Sequence, residues 1–178
     1  MTTLVETCWG PRQIDDKPYW HFVSPSSFFY NNVRFGKGAL LSVSTGIQAE
    51  PGIEKAQTLY SLSRTHDEKE KVFEEIRQTG FPACPPRLET LYVLDEYRFV
   101  ERAQKKWFLN DPKEVHEYRI LIGSITHRAD TVWLNSLPEQ WRDYAQKCWN
   151  GEMSQNPFPE VLVHGALYFL DWETFPSA

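Results

Sequence analysis

The stretch EVLVHGALYFL, residues 160–170, constrains this chain more than any other. One carboxylate, Glu160, stands at the mouth of a long apolar run in which Gly165 is the only glycine. Val, Leu, Tyr and Phe in this density suit a buried sheet, and a glycine inside such a run gives the backbone a place to bend. The run therefore predicts one bent strand or a hairpin, with Glu160 standing where burial begins. A lone acid in that place is either a surface cap on the strand or chemistry held on a rigid element.

The rest of the chain is short aromatic and β-branched runs punctuated by 12 prolines. YWHFVS (19–24), ALLSVS (39–44), TLYVLD (90–95), EYRILIG (117–123) and TVWL (131–134) predict strands, with a turn at SITHRAD before the last. Ala56, Leu59, Tyr60 and Ser63 predict a helix over 53–63. A second helix is expected where Thr65 and Glu68 form a capping box, Val72, Phe73 and Ile76 make a stripe, and Gly80 closes it. Asp95 is expected to cap a third, with Phe99, Ala103 and Trp107 on its buried side. Ser136-Leu137-Pro138-Glu139 reads as a capping box for a fourth, which carries Trp141, Tyr144, Ala145 and Cys148 and ends at Gly151. Strands outnumber helices and few strand–helix–strand crossovers are visible. That pattern predicts an α+β fold with a split or curved, mainly antiparallel sheet and flanking helices. With no linker or internal repeat, one domain over 1–178 is expected.

Composition narrows the function classes. Against 24 acidic residues there are 19 basic ones, a net charge of −5, so a broad duplex nucleic-acid surface is disfavoured and a protein partner is favoured. Cys8, Cys84 and Cys148 are scattered and odd in number, which fits reduced thiols in a cytoplasmic protein. The N-terminus lacks a charged-then-apolar leader pattern, and no run of about 18 apolar residues suggests a membrane span. His21, His66, His116, His127 and His164 show no metal-ligand spacing, so no metal is expected. Phosphate-loop, dinucleotide glycine and nucleophile-elbow patterns are missing. What remains is His21 on the first predicted strand, Arg87 delivered by a stiff proline loop, and Asp130 beside His127 and Arg128, where a turn cap is its simplest role.

WHFVS, PPRLETLYVLDE, YRILIGSITHRADTVWL and CWNGEMSQNPFPEVLVHGAL, in that order, resemble segments of small ADP-ribosyltransferase-like proteins of bacteria and phages. Their pattern has a histidine on the first strand, then P-S-R-x-x-S-x-F, then Y-W-x-G, a variable loop and E-[VI]-L-V. Here Pro86 and Thr90 replace the two serines, Tyr92 the phenylalanine, and Cys148 the tyrosine of Y-W-x-G. The resemblance implies a split-sheet cleft that grips NAD as substrate, with Glu160 and His21 catalytic. Glu160 would hold the ribose 2′-hydroxyl beside an oxocarbenium-like centre. His21 would bond a ribose hydroxyl or the adenosine side. Arg87 would contact the pyrophosphate or organise the cleft, Thr90 and Tyr92 would line it, and Asp130 would prepare the acceptor. The implied activity is ADP-ribosyl transfer to a macromolecule or small acceptor. NAD hydrolysis in the same cleft, or a silent interaction module on the same fold, are the alternatives.

Overall fold

A computed structural model describes residues 2–24, 29–42 and 67–174. Its strands are β1 (Thr2–Thr7), β2 (Gly10–Asp15), β3 (Tyr19–Val23), β4 (Ala39–Leu41), β5 (Leu91–Val93), β6 (Glu114–Ile120), β7 (Ile125–Asp130), β8 (Pro159–His164) and β9 (Ala166–Tyr168). The α-helices are α1 (Phe29–Phe35), α2 (Glu68–Gly80), α3 (Arg98–Trp107) and α4 (Trp141–Trp149), with short 3-10 turns at Arg87–Glu89, Thr131–Leu134, Pro138–Gln140 and Trp172–Thr174. The architecture is α+β and mostly antiparallel, as expected: every strand pair with a described register is antiparallel. Among the described residues no helix is long and apolar enough to cross a membrane.

The chain folds into two compact units. The first takes Met1–Leu41, Val93–Ser124 and Gly165–Ala178. It holds the β1–β2 hairpin and a four-stranded sheet in the order β3-β6-β9-β4. Ile14, Leu121, Ala166 and Tyr168 form one of its buried clusters, against Val5, Leu41 and Trp172. Gly165 marks the expected bend. Its φ of 148° is one that side-chain-bearing residues rarely adopt, and a Cβ there would run into Ser124. The bend lets the Ser124 hydroxyl accept the Ala166 N–H at 3.0 Å.

The second unit takes Ser42–Tyr92 and Ile125–His164. Strand β8 is central in the sheet β5-β8-β7 and is buried from Pro159 to Val163. Such burial on both faces is what a near-continuous apolar run predicts. Phe73 of α2 and Ala145, Cys148 and Trp149 of α4 close over Ala129 and Leu162. The Trp149 indole N–H donates to the Phe73 carbonyl at 2.7 Å, so the largest buried ring also satisfies its polar atom.

Several expectations need correction. TVWL is a 3-10 turn, and SITHRAD supplies the strand, β7, pairing residue for residue from Ile125↔His164 to Asp130↔Pro159. The cause is Asp130, whose Oδ1 accepts the Val132 N–H at 3.0 Å and curls the chain as soon as the ladder ends. Helix α2 is capped by Asp67, which accepts from the Lys69 N–H at 2.9 Å; Thr65, the expected cap, lies outside the described residues. Asp95 is not the cap residue of α3, which starts after Tyr97; its carboxylate pairs with Lys17 at 3.1 Å. Before α4 the box is shifted by one residue, with the Gln140 side-chain oxygen accepting from the Leu137 N–H at 3.2 Å. Strand β4 stops at Leu41, residues 43–44 of that predicted strand and the helix predicted over 53–63 lie outside the described residues, and β6 starts three residues earlier than expected.

Candidate active site

Pro85 and Pro86 bring the chain into the Arg87–Glu89 turn in an extended conformation, Pro86 having φ −69° and ψ 124°. Proline fixes its own φ and restricts the residue before it, so the approach to Arg87 is stiff. Arg87 is 3% exposed. Its Nη1 donates to Glu160 Oε1 at 2.8 Å and its Nε to Glu70 Oε2 at 3.3 Å. The Arg87 carbonyl is held in turn: it accepts from the Thr90 hydroxyl at 2.8 Å and from the Tyr92 hydroxyl. The Tyr92 ring also lies 5.5 Å from the guanidinium. Four residues expected at the site, Arg87, Thr90, Tyr92 and Glu160, are thus one connected group in the second unit.

Glu160 stands second in β8, opposite Ala129, and is 7% exposed. One oxygen is fixed by Arg87, and among the described residues the other accepts no hydrogen bond. That oxygen is not among the buried polar atoms left without a partner, so it keeps access to solvent and is free to accept from a ligand or water. Glu70 is the member that sequence reasoning missed. It is 6% exposed on α2, three residues before the buried Phe73 and so on the same helix face. That phase was the available signal, masked by the run of charges DEKEK around it.

A hollow of about 150 Å³ opens beside this group, lined by Glu70, Glu74, Pro86, Arg87, Leu88, Glu89 and Trp149. Ordinary ligand pockets span roughly 300–1,000 Å³, so this one encloses a ring or a side chain, and any dinucleotide bound there would lie mostly outside it. A larger, open depression of about 460 Å³ runs along the outer face of α3 in the first unit. Its lining of Arg98, Glu101, Arg102, Lys105 and Lys106 is a solvated charged face without a buried acid, whereas the smaller hollow is lined by the buried Glu70 and by Arg87, through which Glu160 is connected without lining it.

Of the other two expected residues, Asp130 shares the second unit and His21 stands in the first. Asp130 neighbours Glu160 across the β7–β8 ladder, but alternation turns its side chain to the opposite face. There it is fully buried and accepts backbone N–H bonds from Val132, Ser154 and Phe158 at 2.9–3.0 Å. Burial alone would raise its pKa; the donors of Phe158, Ser154 and Val132 together outweigh that and hold it below the ordinary 3.8. Its carboxylate is committed to the loop that leads into Glu160. His21 belongs to the first unit, on β3 opposite His116 of β6, with its ring edge-on to Tyr118 at 5.7 Å. Among the described residues no three of His, Cys, Asp and Glu form a group that could hold a metal ion.

Residues 41–173 match the model of a family described as "Protein of unknown function (DUF2441)". The chain belongs to the DUF2441 family. Arg87, Thr90, Tyr92, Asp130 and Glu160 all fall within the DUF2441 match, as does Glu70, whereas His21 precedes it. No curated protein matches the chain.

Proposed function

We propose that this DUF2441 protein transfers ADP-ribose from NAD to an acceptor, on an ADP-ribosyltransferase-like fold, with Glu160 as the catalytic carboxylate. The observation that carries the reading is the state of Glu160: buried, anchored through one oxygen to Arg87 and open at the other. Cleaving the bond between nicotinamide and ribose leaves positive charge on the sugar, and nicotinamide departs as a neutral base that needs no general acid. A carboxylate fixed beforehand can accept the 2′-hydroxyl and oppose that charge without reorganising. Anchorage on a central strand limits its motion further. Burial of Arg87 between two carboxylates supports the organising role for it over pyrophosphate contact. Thr90 and Tyr92 then act by fixing the Arg87 backbone.

The test is to incubate the protein with NAD labelled on the adenylate phosphate, with and without a cell lysate. Label appearing on lysate protein, and abolished by Glu160→Gln, is the expected result. Free ADP-ribose alone would replace transfer by hydrolysis. No product, together with no rise in melting temperature on adding NAD, would overturn the reading and leave an interaction module.

A further inference from the structure

Cys84 and His127 do not enter the chemistry above, yet they meet. Cys84 follows the exposed Pro82 and Ala83 in the loop after α2 and is itself partly exposed, while Cys148 is sealed in the core. Its Sγ lies 3.6 Å from His127 Nδ1 on β7 and 3.7 Å from the Trp149 carbonyl. The other ring nitrogen, Nε2, lies 2.8 Å from the Cys148 carbonyl. A carbonyl only accepts, so Nε2 carries the proton and, in the neutral ring, Nδ1 presents its lone pair to the thiol. The Trp149 carbonyl can take a hydrogen bond from the thiol but cannot remove its proton. A nucleophile, a base within reach and a third group fixing that base make up the minimal arrangement for an activated thiol.

We propose that Cys84 is a covalent modification site, with His127 as its base, that exchanges with low-molecular-weight disulfides. In the exchange the Cys84 proton passes to His127 Nδ1 as Sγ attacks one sulfur of the disulfide. The new S–S bond forms, the old one breaks, and the departing thiolate takes the proton back from the imidazolium. Cys84 is oxidised, the small disulfide is reduced, and His127 ends as it began. The inference stands apart from the NAD reading, because it needs only these two side chains.

The charged surroundings set the pH behaviour. Burial holds His127 below its ordinary 6.5, Arg87 pushes the same way, and the Cys148 carbonyl and Glu160 oppose. Burial raises the Cys84 thiol above its ordinary 9.0, with Arg77 opposing. At neutral pH the pair is therefore thiol and free base rather than thiolate and imidazolium. A simple thiol reacts about tenfold faster per pH unit below its pKa. A base-assisted one reaches a plateau once the imidazole is neutral.

The experiment uses the full-length reduced protein and oxidised glutathione from about pH 6 to about pH 9, with adducts located by peptide mass. The expected result is an adduct on Cys84 whose rate flattens between the ordinary imidazole and thiol values. His127→Gln, which keeps a donor for the Cys148 carbonyl but removes the base, should slow neutral-pH exchange by about tenfold to a hundredfold. Adduct formation without Cys84, an unchanged rate in His127→Gln, or a wild-type rate climbing in parallel with free glutathione overturns the proposal. If the variant does not fold, the wild-type pH profile decides alone.

Discussion

Removing the Arg87 guanidinium leaves Glu70 and Glu160 without their shared partner in a site where neither is a tenth exposed. Breaking a buried pair from one side costs about 3–5 kcal/mol, and Arg87→Met should fall in that range by its urea midpoint. Glu70→Gln added to that variant should recover part of the loss. Glu160→Gln keeps an acceptor for Nη1 and should cost only about 1–2 kcal/mol, so a loss of the proposed transfer activity in that variant could not be blamed on unfolding. Asp130 carries a different signature. Its lowered folded-state pKa means its contribution is complete above the ordinary 3.8 and fades as pH falls through the folded value. Asp130→Asn should therefore cost about 2–3 kcal/mol at neutral pH, with the gap to wild type narrowing below about pH 4 in acid denaturation curves. The sequence showed Glu160 and Arg87 as unusual because a lone charge at the edge of an apolar run, or after two prolines, breaks a pattern. Glu70 hid because one buried glutamate among solvated ones breaks none.

Elements were legible where side-chain periodicity and backbone fate agree. Strand β8 was marked by its apolar run, and α2 and α4 by stripes that end at glycines. Boundaries failed where one hydrogen bond outweighed propensity. Val132, Trp133 and Leu134 are good strand residues, but the Asp130 cap turns them into a 3-10 turn. The β1–β2 hairpin went unread because β1 is mostly exposed, so it lacks the apolar alternation that marks a half-buried strand. Two substitutions test the corrected elements. Asp67→Ala should destabilise by about 1 kcal/mol through loss of the α2 cap, whereas the Thr65 capping predicted from sequence would leave this change neutral. Gly165→Ala should cost about 1–3 kcal/mol, because the residue sits at φ 148° with Ser124 in the way of any Cβ. A thermal midpoint within a degree of wild type would refute that assignment of the bend.

Stability should be spread unevenly over the molecule, and hydrogen exchange can read the distribution. Exchange is slowest where backbone bonds are buried in a packed centre and fastest where a two-stranded ribbon faces water. The amides of Val161, Leu162 and Val163 lie in a central strand buried over almost its whole length. Those of Leu4 and Glu6 lie in a two-stranded sheet whose outer strand is mostly exposed, tied back chiefly through Ile14 and the Ile122–Gln13 backbone bond. Residues 161–163 should therefore be among the last to exchange and residues 4–6 among the first. The same experiment bears on function, because a ligand that binds only the folded state adds about 2.7 kcal/mol at a hundred times its Kd. If NAD engages Glu160, that gain should appear as added protection over 87–92 and 160–162, where the Arg87 group and β8 share one hydrogen-bonded network. Protection gained only along 98–106, the charged face of α3, would instead mark NAD as a polyanion bound by surface cations and would remove Glu160 from the chemistry.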